Sequence, residues 1–173
     1  TDANLNSVDL SNADLFYADL FNASLYSSDL SGSDMDNANL SYANLGNADL
    51  SHSELSNADL FYANLNYSDL SGSDMDNADL DYAGLRYADL SGVDGHSIDL
   101  NYADLLGADL SNAYLAYIDL VNANMYSVDL SKSDLGSADL RGANLNYSDL
   151  SGAEIDSADL NGAYLRWADL TNT

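Results

Sequence analysis

Carboxylates are the side chains of this sequence whose spacing is best suited to chemistry. Aspartate recurs at every twentieth position in a series that we call the Asp column: Asp9, Asp29, Asp49, Asp69, Asp89, Asp109, Asp129, Asp149 and Asp169. An evenly spaced file of carboxylates can form an interaction face that imitates nucleic-acid phosphates, or it can bind cations weakly. It can also be no more than the exposed, solubilising middle of a repeated unit. All three interpretations stay open at this stage.

Catalytic chemistry is not favoured by the sequence. Acid–base catalysis needs carboxylates in contrasting environments within a concave site, and a regular file offers neither. Serine and aspartate are so frequent that their proximity to the two histidines, His52 and His96, carries no information about a triad. Cysteine is absent, and no phosphate-binding glycine loop or calcium-binding nonapeptide occurs. We therefore predict no catalytic residue, no metal site, no cofactor and no enzymatic activity.

The overall charge excludes several classes of partner. The 173 residues include 29 acidic and four basic side chains, which gives a formal net charge of −25. Direct binding to nucleic acid or to an anionic membrane requires the opposite sign. No run of 18 apolar residues is present that could span a bilayer. We predict one soluble domain over residues 1–173, with a protein partner of unknown identity and a compartment, cytoplasmic or exported, that stays open.

A five-residue repeat must position the carboxylates. Of the 34 positions from 5 to 170 in steps of five, 29 are Leu and three are Met, with Ile155 and Gly95 as the exceptions. Two residues earlier stands a small or β-branched side chain, and the residue between them is Asp 22 times. Leucines five apart would spiral around a helix, whereas a short extended piece directs both apolar residues inward and Asp outward. The remaining two residues must then turn the chain.

A longer period shows how many of these units close one coil. The triplet Asp-Leu-Ser recurs after every fourth unit, from position 9 to position 149. Four units per turn predict a square cross-section, about 8.5 coils and, with coils about 4.8 Å apart, a rod of about 40 Å. The crossover rule favours a right-handed coil. The side that ends at Leu5, Leu25 and Leu45 differs from the others, because its central residue is mostly Asn and its single acid is Asp104.

The unbroken units ANLSYANL (38–45) and ADLRGANL (138–145) resemble the pentapeptide-repeat family, and the resemblance covers the whole chain. It implies an all-β fold, a right-handed quadrilateral parallel β-helix, in agreement with the square coil. Some members of this family mimic DNA, bind DNA gyrase and protect it from quinolones. The resemblance therefore implies a DNA-binding protein such as gyrase as one candidate partner, beside a role as a structural scaffold or protein-interaction module.

Gly95 stands where the repeat expects leucine. A missing leucine leaves a cavity that costs roughly 3–5 kcal/mol if it stays unfilled. Val93 and Ile98 replace the usual alanine on either side of Gly95. We predict that these two side chains fill the space, and that His96 is an outward corner residue rather than a ligand.

Aromatic residues form further spaced series. Four of them, which we call the tyrosine ladder, occupy equivalent positions of consecutive coils and should stack at one corner: Tyr42, Tyr62, Tyr82 and Tyr102. Shorter ladders are predicted for Tyr67 with Tyr87 and for Tyr147 with Trp167. Such ladders either stabilise the rod, by about 0.5–1.5 kcal/mol per ring pair, or form a partner-binding patch.

Two further expectations concern electrostatics and the ends of the rod. Carboxylates about 4.8 Å apart repel by roughly 0.9 kcal/mol in water, so folding should raise the pKa values of the Asp column. The repeat pattern runs to both ends of the sequence, which would leave parallel edges open and favour end-to-end self-association.

Overall fold

A computed structural model describes residues 2–173 of the protein. The chain winds into a right-handed quadrilateral β-helix, as predicted, with four five-residue units in each coil. Thirty parallel bridges join each central residue to its equivalent on the next coil, from Asn4↔Ser24 to Asp149↔Asp169. Every bridged element is a single residue, and residues 2–173 contain neither a helix nor a longer strand. Accordingly, no helix in that range could cross a membrane.

The four sides of the coil are named here by their central residues. Face A holds Asn4 and its equivalents on successive coils up to Tyr164, face B holds the Asp column, face C runs from Asp14 to Glu154, and face D runs from Asp19 to Asp159. Corner AB joins faces A and B, and corners BC, CD and DA follow in order. The faces thus expose different residue types although their backbones are equivalent.

Each corner is a two-residue β-turn that the repeat encodes. At residues 10–13 the amide of Ala13 donates to the carbonyl of Leu10 at 3.0 Å, and Asn12, the second corner residue, has φ of 55°. Positive φ at the third position of the turn, with negative φ before it, is typical of a type II turn. The Asn12 amide also donates to the Ser31 carbonyl of the next coil at 2.8 Å. The corners are therefore bonded both within and between coils.

The left-handed backbone recurs at every second corner residue from 2 to 172, at 28 non-glycine and seven glycine positions. These positions hold Asn, Tyr, Gly, Ser and a few other residues, but no valine, isoleucine or threonine. Because β-branched side chains clash in this conformation, their absence is the sequence signal of the turn. The repeat thereby selects its own corner geometry.

The core is a narrow stack of leucine, methionine, alanine and serine. Leu45 and Leu65 are fully buried, and so are the smaller Ala43 and Ala63 beside them. Most inward serines satisfy their hydroxyls locally, as Ser28 does by donating to the Leu25 carbonyl at 2.6 Å. Ser53 and Ser73 are exceptions among residues 2–173, because their buried hydroxyls have no hydrogen-bond partner there. The core positions tolerate little change in side-chain volume, because native cores are packed to crystal-like density.

The space at Gly95 is filled as predicted. A Cβ atom at Gly95 would lie 2.9 Å from Cγ1 of Ile98, closer still to its Cδ1, and 3.5 Å from Cγ1 of Val93. Val93 and Ile98 are both buried. The missing leucine is therefore replaced by its neighbours, and His96 is an exposed corner residue.

Candidate interaction surfaces

The Asp column forms a straight file along face B. Each member is bridged to the next, from Asp9↔Asp29 to Asp149↔Asp169. All nine accept the amide N–H of the residue two positions later on Oδ1, at 2.8–3.0 Å. Asp49 also accepts the Ser51 hydroxyl on the same atom at 2.6 Å. The local bonds therefore hold one oxygen, Oδ1, of each carboxylate in a fixed position.

The expected rise in the pKa values of the Asp column is wrong where a shift is resolved. The Ser11 hydroxyl and amide hold the pKa of Asp9 below its ordinary value, and Ser151 does the same for the pKa of Asp149. In both cases hydrogen bonds to the charged form outweigh desolvation, which acts in the opposite direction. Serine follows the Asp-Leu pair at eight of the nine positions of the Asp column, with Thr171 at the ninth, and this hydroxyl residue is the sequence signal for the effect.

A proton-binding carboxyl group lies on face D instead. Burial raises the pKa of Asp99 to about 6, and the hydrogen bond and charge of Asp81 add to the effect. Burial, with the charges of Asp59 and Asp99, also raises the pKa of Asp79. Oδ1 of Asp81 is buried and has no hydrogen-bond partner among residues 2–173. Asp81 and Asp99 are brought together only by the coil, since almost a full turn of the chain separates them in sequence.

The four rings of the tyrosine ladder stack on one another at corner DA. Its rings are nearly parallel, with centroids 5.5, 4.8 and 4.9 Å apart in order along the rod. Phe61 packs edge-on against Tyr62 at 4.8 Å. These separations leave no room for a further planar group between the rings, so the ladder offers ring edges and hydroxyls to a partner. Burial, together with the neighbouring phenols of Tyr102 and Tyr62, raises the pKa of Tyr82.

The shorter aromatic series at corner AB differ from the expectation in one case. Tyr67 and Tyr87 stack at 5.3 Å with 18° between their planes. Tyr147, however, packs against Tyr126, with ring centroids 5.1 Å apart and 46° between the ring planes. The centroid of the Trp167 ring lies 5.7 Å from the guanidinium carbon of Arg166. The predicted Tyr147–Trp167 pair is therefore replaced by two other contacts, because first and second corner residues on adjacent coils also meet.

Face A carries amides where the other faces carry carboxylates. Asn64 donates through Nδ2 to Oδ1 of Asn44 at 2.9 Å, and Asn144 donates likewise to Asn124 at 3.1 Å. The single acid of this face, Asp104, accepts Nε of Arg86 at 2.5 Å. At corner DA, Nη2 of Arg141 donates to Oδ2 of Asp139 at 2.6 Å. This hydrogen bond lowers the pKa of Asp139. With Arg166 at corner AB, three of the four basic residues border face A.

Two groups of side chains on face C and corner CD could hold a cation. Asp76, Asp94 and His96 form one group, and Asp34, Asp36 and Glu54 form the other. His96 Nδ1 lies 3.3 Å from Oδ1 of Asp76 and 3.7 Å from Oδ1 of Asp94. Exposed acidic groups commonly cluster without a metal ion, and 29 acidic residues make such clusters expected on this surface, so we assign no metal site to either group.

A depression of about 330 Å³ lies beside corner BC, and its lining includes Asn112, Tyr114, Lys132, Asp134 and Glu154. Its lining is mostly polar. Binding sites for small molecules are mostly apolar and bury most of the ligand. We therefore place the candidate site of this protein on its faces rather than in this depression.

Comparisons with known proteins agree with this architecture. A family model described as pentapeptide repeats matches the chain in eight copies, over residues 18–57, 58–94, 103–142 and 133–172. HetL, a pentapeptide repeat protein involved in heterocyst differentiation regulation in the cyanobacterium Nostoc sp. strain PCC 7120, is 31% identical, with a TM-score of 0.54. The alignment covers 99% of this chain and 90% of HetL.

The fold is also similar to that of QnrB1, a plasmid-mediated fluoroquinolone resistance protein, in its trypsin-treated form. That likeness covers 97% of this chain and 91% of QnrB1, at 18% identity and a TM-score of 0.52. A comparison with curated proteins found no match.

Proposed function

The chain belongs to the pentapeptide repeat family, and from that premise we propose that it is a non-enzymatic, rigid acidic rod that binds a basic protein surface along its Asp column. In this proposal residues 1–173 act as one domain. The partner is defined by its chemistry, a surface with lysine or arginine side chains in a row. The rod would thereby serve as an interaction module or scaffold.

The observation that carries the proposal is the fixed presentation of the nine carboxylates of face B. Each is held through Oδ1 by a main-chain amide, so little side-chain entropy remains to be lost on binding. None of the salt bridges formed within residues 2–173 involves a member of the Asp column. A basic partner would therefore meet carboxylates that are ordered but not already neutralised.

A second candidate function is mimicry of DNA toward DNA gyrase. A charge of −25 along a rod of about 40 Å is about one charge per 1.6 Å, close to the ~1.7 Å of duplex DNA. The straight file of face B supports this candidate, because phosphates also follow a regular path. The likeness to QnrB1 supports it through the fold alone.

The proposal is tested with an octa-arginine peptide as probe. A face B variant, Asp49→Asn/Asp69→Asn/Asp89→Asn, is compared with a face C variant of equal charge on consecutive coils, Glu54→Gln/Asp74→Asn/Asp94→Asn. Asn can keep the local bonds, since Asn39 already accepts the Ser41 amide at 3.1 Å on face D. We expect calorimetric titration to show a loss of at least tenfold in affinity for face B and of less than threefold for face C. Equal losses would mean that net charge alone attracts the peptide, and would refute the role of the Asp column.

The gyrase candidate is tested separately by a supercoiling assay with purified DNA gyrase and by a titration of quinolone protection. Inhibition or protection that is lost in the face B variant and kept in the face C variant would support DNA mimicry. The absence of any effect at a large excess of the rod would exclude this candidate and leave the general basic partner in place.

A further inference from the structure

We propose that face A, with corners AB and DA, is a dimer interface that docks against the same surface of a second copy of this chain. Like-charged rods approach each other most easily where they carry no net charge. Face A is that place on this rod, and it is also where the exposed aromatic rings are concentrated. The proposal is independent of the basic partner proposed for face B.

The formal charges are segregated by face. Face A and its two corners hold three acids, Asp2, Asp81 and Asp104, and three bases, Arg86, Arg141 and Arg166. Their sum is 3 − 3 = 0. The rest of the rod holds 29 − 3 = 26 acids and one base, Lys132, which sum to −25. The entire net charge therefore lies on faces B, C and D and on corners BC and CD.

Aromatic side chains follow the neutral surface on both of its edges. The tyrosine ladder lies at corner DA, with side chains that are 40–51% exposed. Corner AB carries Tyr67, Tyr87 and Trp167, at 59%, 52% and 68% exposure. Partly exposed aromatic rings are enriched where proteins meet, because each ring buries a large apolar area with few rotatable bonds. The row of asparagine side chains on face A, with aromatic side chains at the corner on each side, is thus a surface suited to burial.

Charge and area point to a second copy as the occupant. Two rods that meet at face A keep their carboxylates on outward sides, and asparagine amides can donate to and accept from one another across a two-fold axis. With its two corners the surface is seven residues across, which is up to about 20 Å at about 3.3 Å per residue, and it is about 40 Å long. The product is up to about 800 Å² per partner, the area of a standard stable interface. No other side of the rod combines neutrality with that area.

Two-fold symmetry predicts both the size of the assembly and the residues that meet at its centre. A two-fold interface closes at the dimer, whereas association through open coil ends continues into longer polymers. Gly84 is the middle residue of the face A file, which runs from Asn4 to Tyr164. A two-fold axis through the middle of face A, either along the rod or across it, brings Gly84 of one copy near Gly84 of the other.

The first experiment is analytical ultracentrifugation from about 10 µM to 1 mM, at about 0.02 M and 0.5 M salt. We expect a closed monomer–dimer equilibrium that tightens with salt, because residual repulsion between the acidic faces is screened. A monomer at every concentration and salt would refute the interface, and so would an open series of growing polymers.

Matched variants place the interface on face A. Asn44→Asp adds one carboxylate to face A and keeps the bonds that Asn44 accepts from Gly46 and Asn64. Asn39→Asp adds the same charge on face D and keeps the bonds accepted from Ser41. We expect Asn44→Asp to raise the dimer Kd at least tenfold and Asn39→Asp to change it less than twofold. Equal effects would refute the assignment of the interface to face A.

Cross-linking provides an independent readout. The described chain has no cysteine, so a single introduced thiol reports one position. Gly84 is not among the positive-φ residues, and a Cβ there would meet the end of the Asn66 side chain at 3.3 Å, which can shift. Gly84→Cys should form disulfide dimers at least tenfold faster than Asp89→Cys, which lies mid-rod on face B. Similar rates for the two variants would count against face A.

Discussion

Replacing Gly95 with leucine should destabilise the rod, although it restores the consensus of the repeat. The new side chain would begin with a Cβ 2.9 Å from Ile98 Cγ1, a distance that real Cβ atoms do not tolerate. Ile98 is buried and cannot swing into solvent without opening the core. Overpacking of this kind costs typically about 1–3 kcal/mol. We therefore expect Gly95→Leu to lower the free energy of unfolding by about 2 kcal/mol.

A double-mutant cycle tests the reasoning. Ile98→Ala alone empties the space that neither residue then fills, at a cost of about 2–5 kcal/mol. Gly95→Leu/Ile98→Ala recreates the ordinary pairing of leucine and alanine, so it should be more stable than either single variant. The four proteins are compared by urea unfolding with one common slope. A single Gly95→Leu variant that is more stable than the parent, or additive effects in the double variant, would show that Ile98 does not replace the missing leucine.

Three further outcomes follow from the site geometry. Because folding raises the pKa of Asp99 to about 6, the stability from its bound proton is complete at low pH and is lost as the pH rises through about 6. Asp99→Asn should therefore raise the free energy of unfolding by about 1 kcal/mol relative to the parent at pH 8, a value reduced for solvent screening of this partly exposed group, and change it little at pH 4. Equal gains at both pH values in urea melts would contradict the assignment. Tyr82→Ala removes the stacking contacts with two neighbouring rings and should lower the free energy of unfolding by about 1–3 kcal/mol. Tyr117→Ala, at an equivalent turn position but exposed, should lower it by less than about 1 kcal/mol. Ser137, at φ of 60°, should tolerate Gly but lose about 1–2 kcal/mol as Val, and thermal melts that rank Val above Gly would refute the role of the left-handed corner.

The sequence alone determined the fold of this protein. Leucine at every fifth position and Asp-Leu-Ser after every fourth unit define a four-sided coil, because each inward residue contacts only its own coil and its two neighbours. The positions of the Asp column and the tyrosine ladder follow by counting, since a strict repeat without insertions keeps every residue in register. The filling of the Gly95 space was also readable, because Val93 and Ile98 are larger than the usual alanine.

Only the tertiary structure decided how side chains behave at the corners. Whether Tyr147 meets Trp167 or Tyr126 depends on the directions of first and second corner residues, which sequence spacing does not contain. The pKa of Asp9 falls because the Ser11 hydroxyl and amide bond to its carboxylate. The pKa of Asp99 rises because its carboxyl is partly buried and because the coil places Asp81 beside it. Likewise, only the structure shows that Arg86 pairs with Asp104 and that Arg141 pairs with Asp139. Counting along a repeat assigns faces, whereas local hydrogen bonds and stacking between coils set the charge and chemistry that those faces present.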